Sequence, residues 1–246
     1  MKDNTTLFSL FGQFAHAQNY PTAFSEMLDL FLIPFMWHET EHGFLAALNR
    51  LQQHPKKDNL IALYSEIGER SEGFYDPLGE LYEIEISKGK NGQFFTPYPI
   101  CDLIAMMTGI ESLQNGQSVY DPACGSGRML LAAAKINRHL KFYGADIDEV
   151  CCKITVVNML LNSMTGEVCH IDTLRNTFFG GYKLLTVLKD GFYHPYFKKF
   201  TDPLDSAIWL RPVEPLAACG NFDTVFNPTK SPLMSQGEQG NLFSQG

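Results

Sequence analysis

The stretch Ser118-Val119-Tyr120 followed by Asp121-Pro122-Ala123-Cys124-Gly125-Ser126-Gly127-Arg128 limits what this chain can fold into more than any other part of it. A short apolar run ends in a turn with two glycines, and Met129 to Ile136 then shows helical periodicity. Strand, glycine turn and helix in direct succession form a unit of an α/β sheet, because the glycines let the chain reverse sharply and let a ligand approach the helix amino end. The pattern recurs. Phe142 to Ala145 reads as a strand, Glu149 to Leu161 as a helix, Val168 to Ile171 as a strand and Phe222 to Phe226 as the last strand. Pro99 to Met107, ahead of the first strand, fits a helix stopped near Gly109. This alternation predicts a parallel sheet with right-handed crossovers.

Residues 1–88 read differently. Apolar positions recur at helical spacing in Leu7, Leu10, Phe11 and Phe14, in Phe24, Leu28, Phe31 and Leu32, and in Phe44, Leu48 and Leu51. Asp58-Asn59 and Asp76-Pro77 read as caps of two further helices. The expectation is a small all-helical domain over 1–88, joined through the polar, glycine-rich Ser87 to Gly92 to a second domain over 89–230. Within it, 173–221 reads as an irregular insertion with one candidate strand at Ala207 to Leu210, and 231–246 as a flexible Ser/Gln/Gly-rich tail.

Composition removes several classes. With 45% hydrophobic and 19% charged residues the chain is neither disordered nor fibrous. The most apolar run, Leu28 to Trp37, is broken by Asp29 and Pro34, well short of the about 18 residues a membrane helix requires. The start, Met1 to Thr6, lacks a secretory signal, so the expected compartment is the cytoplasm. Cysteines 101, 124, 151, 152, 169 and 219 form no CxxC pair and read as reduced, packed thiols. Of the net charge of -8, residues 1–90 carry -6, so any contact with DNA phosphates needs a local patch or another chain.

The acids at the strand ends point to a ligand. Gly125 and Gly127 lack the third glycine of a dinucleotide turn, and Asp121 would repel a pyrophosphate yet suit an ammonium group. Asp146, at the end of the next strand, is placed to accept from both hydroxyls of a ribose. Together they describe a nucleoside carrying a cation, for which S-adenosylmethionine is the fitting cofactor. The plainer reading of Asp146 or Asp148 is helix capping before Glu149, and that of Asp121 an Asp-Pro turn.

In order, Gly92-Gln93-Phe94-Phe95-Thr96-Pro97, Asp121 to Gly127, Gly144-Ala145-Asp146-Ile147-Asp148, Ile171-Asp172-Thr173-Leu174 and Phe222-Asp223-Thr224-Val225-Phe226-Asn227-Pro228 resemble the motif series of N6-adenine DNA methyltransferases, above all the modification subunit of type I restriction-modification systems. The run Asp76-Pro77-Leu78-Gly79-Glu80-Leu81-Tyr82-Glu83 is similar to that family's segment before its GxFFTP-like motif. The resemblance implies a Rossmann-like S-adenosylmethionine-dependent methyltransferase sheet. It places Phe95, Thr96 and Pro97 at the methionine end of the cofactor, and Asp121, Ala123, Gly125 and Gly127 around its amino acid. It places Asp146 on the ribose and Asp172 at the adenine amino group, and counts Ile147 among the cofactor-binding residues. Asn227 and Pro228 become the catalytic pair, which orients the amino group of an adenine flipped from DNA. Expected partners are DNA and a specificity subunit or other chain, with a homodimer or hetero-oligomer left open. No metal is implied.

Where the family carries a second proline and an aromatic residue, this chain has Thr229 and Lys230, so a catalytically impaired cofactor-binding accessory protein stands as the alternative. The chain also stops soon after Lys230, where the family's sheet continues, which reads as truncation. A third reading comes from His38-Glu39-Thr40-Glu41-His42, a match to HExxH, which on a helix would place two histidines on one face as a zinc hydrolase does. Phe192, Tyr193, Tyr196 and Phe197, near Lys198 and Lys199, could stack on single-stranded bases, but read first as packing residues.

Overall fold

The computed structural model describes residues 5–87 and 94–211; the strand and catalytic pair expected over residues 222–228, Asn227 and Pro228 among them, and the tail 231–246 lie outside these. Three of its helices begin in the same way. Asn19, Thr40 and Asp76 each accept a hydrogen bond from the backbone N–H three residues on, that of Thr22, Gly43 and Gly79, filling a donor that a helix start would otherwise leave empty. The amino-terminal part holds α1 (Thr5–Phe14), α2 (Tyr20–Leu32), α3 (Glu41–Gln52), α4 (Lys57–Arg70) and α5 (Pro77–Leu81), and α5 runs into a single π-helical turn, Tyr82–Ser87. Then come α6 (Tyr98–Met107), β1 (Ser118–Asp121), α7 (Arg128–Ile136), β2 (Lys141–Asp146), α8 (Glu149–Leu161), β3 (Thr165–Asp172), β4 (Thr177–Lys189) and β5 (Phe192–Phe200).

The sheet order is β1-β2-β3-β4-β5. β1, β2 and β3 run parallel, with Asp121 beside Gly144 and Asp146 beside His170, so three strand ends open on one edge. β4 and β5 are antiparallel.

The described residues up to Leu210 form one compact unit. Its main core joins Leu7, Phe11, Phe24, Met27 and Leu28 of the helices to α8 and to the inward residues Phe142, Val168, Tyr182, Leu184 and Phe197 of the sheet, so helices and sheet share one interior. α8 is buried on nearly every side, and Lys153 reaches outward from it to Asp29 of α2 at 2.8 Å and to Glu149 at 3.2 Å. Side chains alternate across a strand, so Ala145, Cys169 and Ile171 face the other side, where Phe178, Phe200, Ile208 and Trp209 cover them. The buried Glu167 carboxylate holds this cover by accepting from Ser206 Oγ at 2.6 Å and the Ala207 N–H at 3.1 Å.

Several expectations are corrected. Residues 173–221 are not an irregular insertion throughout: 177–200 form a long hairpin, turned at Asp190-Gly191 with φ of 52° and 83°. An Asp-Gly pair between alternating apolar runs is a strong two-residue hairpin signal, and Pro195 is tolerated because β5 is an edge strand. The candidate strand Ala207 to Leu210 is instead part of the bent cover over the sheet. Of the four aromatics read as packing residues, Phe197 is buried, whereas Phe192 and Tyr193 are largely exposed at 72% and 68%. The HExxH reading also fails on geometry. α3 begins only at Glu41 with Thr40 as its cap, so His38 stands outside the helix and shares no helical face with His42.

No helix among the described residues is long and apolar enough to cross a membrane.

Candidate functional site

The carboxyl ends of β1, β2 and β3 surround a cavity of about 700 Å³, the place where open α/β sheets bind ligands. Asp121 closes β1 and accepts the Ala123 N–H at 3.1 Å, which bends the chain into the glycine turn. Gly125 and Gly127 have φ of 54° and 86°, a left-handed backbone that suits glycine. A side chain at Gly125 would also put its Cβ 2.9 Å from the Phe95 ring.

Asp146 ties this turn to the next strand, accepting from the Gly125 N–H at 2.8 Å and from the Asp148 N–H at 2.8 Å. Asp148 in turn caps α8 through the Val150 N–H. Thr155 of α8 donates to the Gly125 carbonyl at 2.8 Å. Asp172 ends β3, accepts from the Leu174 and Arg175 N–H groups, and meets the largely exposed Arg175 guanidinium at 3.4 Å.

The expected cofactor residues meet here. Phe95, Thr96, Asp121, Ala123, Gly125, Asp146, Ile147 and Asp172 all line the cavity. Pro97 and Gly127 stand just behind it as the residues that start α6 and α7. Phe94, Pro122, Cys124, Ser126, Arg128, Met129, Cys151, Thr173 and Leu174 complete the walls, and the sequence assigns none of them a role of its own at the cofactor. Burial raises the Cys124 and Cys151 thiols far above the ordinary cysteine range, with Asp146 adding to the rise at both, so they face the cavity as neutral, inert groups.

The electrostatics are acidic. Three carboxylates, those of Asp121, Asp146 and Asp172, line the cavity together with one arginine, and that arginine is already matched. Arg128 donates to Asp76 at 2.9 Å and to Glu83 at 2.8 Å. Burial first, and the nearby Asp146 charge as well, push the Asp121 carboxyl above its ordinary range, while the Ala123 N–H opposes the shift.

Behind the cavity lies a buried network that sequence reasoning passed over. Asp76 is fully buried and accepts from the Gly79 N–H, Ser126 Oγ, Arg128 Nε and Asn158 Nδ2. The only local sign of it is the Asp76-Pro77 cap, since its other partners come from the glycine turn and from α8. Among the described residues no group of three or more His, Cys, Asp or Glu side chains is placed to hold a metal ion.

Comparison with known proteins adds to this geometry. Residues 74–189 match the family model described as N-6 DNA Methylase. The type I restriction enzyme MjaVII methylase subunit of Methanocaldococcus jannaschii is 29% identical over 147 residues, which is 54% of this chain and 25% of that protein. The type I restriction enzyme MpnII methylase subunit of Mycoplasma pneumoniae is 33% identical over 123 residues, 44% of this chain and 22% of that protein. The matches thus span about a quarter of the length of these relatives. Among solved structures, the type I restriction-modification system methyltransferase subunit from Streptococcus thermophilus overlays with a TM-score of 0.37 at 15% identity, covering 66% of this chain and 57% of that one.

Proposed function

We propose, on the match of residues 74–189 to the N-6 DNA methylase model, that this chain binds S-adenosylmethionine in the cavity at the ends of β1, β2 and β3 and directs its methyl group to an adenine of DNA. The observation that carries the reading is the charge of the cavity. Asp121, Asp146 and Asp172 face it, and its arginine is neutralised by Asp76 and Glu83. Two unit charges about 4 Å apart near a protein surface interact by about 4 kcal/mol, so these walls favour an ammonium and a sulfonium and oppose a pyrophosphate. A cation beside Asp121 would also offset the burial, and the nearby Asp146 charge, that raise its carboxyl.

On this reading Asp121 and the turn through Ala123, Gly125 and Gly127 hold the amino acid end, with Phe95, Thr96 and Pro97 against the methionine chain. Asp146 accepts from the ribose, Ile147 flanks the adenine ring, and Asp172 meets its amino group. The bound cofactor supplies an electrophilic methyl group. The chain's own task is placement: Asn227 and Pro228, in the same family's motif, would orient the target amino group after the base leaves the stack. With net charge -8, recognition of the DNA target falls to a companion chain, in keeping with relatives that are named as subunits.

Calorimetric titration of the full chain with S-adenosylmethionine tests the binding step. One saturable site is expected, and no heat at any concentration overturns the reading. Transfer is tested with labelled cofactor and duplex DNA, with and without specificity subunits. Label in adenine that disappears in Asn227→Ala supports methyl transfer. Binding without transfer under every condition favours the cofactor-binding accessory protein that Thr229 and Lys230 suggest.

A further inference from the structure

Asp76 to Glu83 precedes every motif of the cavity, yet it touches three of them. Asp76 holds Ser126 and Arg128 at the glycine turn. The Tyr82 hydroxyl donates to Asp148 Oδ2 at 3.3 Å, next to the Asp146 segment, and its ring stacks on Phe95 at 5.7 Å. Glu83 spans the rest: Oε1 accepts the Phe95 N–H at 2.8 Å and Oε2 accepts from Arg128 at 2.8 Å. The Arg128 guanidinium lies over the rings of Phe95 and Tyr98, 5.3 and 4.9 Å from their centres. Phe95 belongs to no strand or helix, so its position is set by these contacts.

We infer that Glu83 is a positioning residue for the cofactor, which fixes Phe95 against the glycine turn while standing outside the cavity itself. Phe95 and Arg128 line the cavity and Glu83 does not. The Phe95 ring fills the space that a side chain at Gly125 would need, so a shift of Phe95 changes the shape of the turn that meets the ligand. One carboxylate, shared between a backbone N–H and a guanidinium, makes two charge-assisted hydrogen bonds and leaves Phe95 little freedom. Glu83 sits in the π-helical turn Tyr82–Ser87, a rare geometry that concentrates at functional positions. The inference rests on S-adenosylmethionine being the ligand.

Titration of the full chain with S-adenosylmethionine, alongside thermal unfolding, tests it on wild type, Glu83→Gln, Glu83→Ala, Phe95→Leu and the Glu83→Ala/Phe95→Leu pair. Glu83→Ala is expected to weaken binding about tenfold, the value of one charge-assisted hydrogen bond. Glu83→Gln keeps an oxygen for the Phe95 N–H and should fall between. In the Phe95→Leu background, Glu83→Ala should have little further effect, because the backbone N–H stays but the ring that Glu83 holds against the glycine turn is gone. A structural role alone would lower the unfolding temperature equally in both backgrounds and leave affinity in place.

Unchanged affinity in Glu83→Ala, or an equal loss with and without Phe95, overturns the inference. Should Glu83→Ala not fold, unchanged affinity in Glu83→Gln overturns it instead. Failure of the wild type to bind removes the cofactor reading and this inference with it, and is told apart because it needs no variant.

Discussion

The Asp146 carboxylate accepts the Gly125 backbone N–H at 2.8 Å, so the end of β2 and the glycine turn after β1 move as one piece. The other oxygen of the same carboxylate accepts the Asp148 N–H, which leads into the cap of α8. Asp146→Ala leaves two N–H groups without their acceptor, at a cost of about 1–3 kcal/mol in stability. It should also weaken S-adenosylmethionine at least tenfold. Asp146→Asn keeps one oxygen and should lose less of both. Titration and thermal melting of the two variants check this; equal affinity in wild type and Asp146→Ala would remove Asp146 from the binding surface.

Gly79 is required by close approach. An added Cβ there would lie 1.9 Å from Asp76 Oδ2 and 2.8 Å from Ser126 Oγ. Gly79→Ala must therefore open the buried Asp76 network, and Arg128→Met must leave Asp76 buried without its cation. Losing one partner of a buried pair costs about 3–5 kcal/mol, so both variants should unfold at markedly lower denaturant concentration than wild type. A midpoint shift of less than about 1 kcal/mol in both would show that Asp76 is hydrated.

The five described cysteines are buried, and burial raises Cys101, Cys124, Cys151, Cys152 and Cys169 above the ordinary range. At pH 8 they stay protonated and shielded, and the thiolate is the reactive form. In a Cys219→Ser background a soluble aromatic disulfide should label no cysteine of the native chain and all five after denaturation. Rapid labelling of any native thiol contradicts the packing around it.

Alkaline stability follows from the phenols. Burial pushes Tyr64 up to about 12, and moves Tyr82, Tyr98 and Tyr182 further. A raised pKa in the folded state means that the folded chain holds more protons than the unfolded one above pH 10. Stability is therefore full below the ordinary tyrosine pKa of about 10 and falls as pH rises through the folded values. Unfolding temperature measured from pH 8 to 11.5 should be flat at first and then decline, and Tyr64→Phe should soften the decline. A profile unchanged by the substitution would mean that Tyr64 titrates alike in both states.

Much of this architecture was legible in the sequence. Strand and helix alternate from Ser118 to Asp172 with glycine and aspartate at the turns, and the helix expected at Glu149 to Leu161 has those very ends. Asp121, Asp146 and Asp172 were legible because they close β1, β2 and β3, where a local pattern marks the strand end, whereas Phe95 and Thr96 lie outside any strand. The hairpin was missed although Asp190-Gly191 announces it, because the glycines at 180 and 181 and Pro195 looked like breakers. The Asp76 network escaped notice for a different reason. Asp76 meets Arg128 across 52 residues and Asn158 across 82, and no local periodicity carries such pairings. The HExxH pattern misled in the opposite sense, since its five residues carry no information about where Thr40 starts the helix.

The strand order has a consequence for how the chain is made. Each strand is laid beside its predecessor, so the sheet can grow one strand at a time as the polypeptide leaves the ribosome. The helical part emerges earlier, yet Asp76 cannot be buried until Ser126, Arg128 and Asn158 have been synthesised, because a lone carboxylate stays hydrated. Burial of Asp76, and with it the docking of α5, is therefore expected to await completion of α8. Nascent chains arrested before Asn158 clears the exit tunnel should be cut readily by protease near α5, and chains arrested well after it should resist.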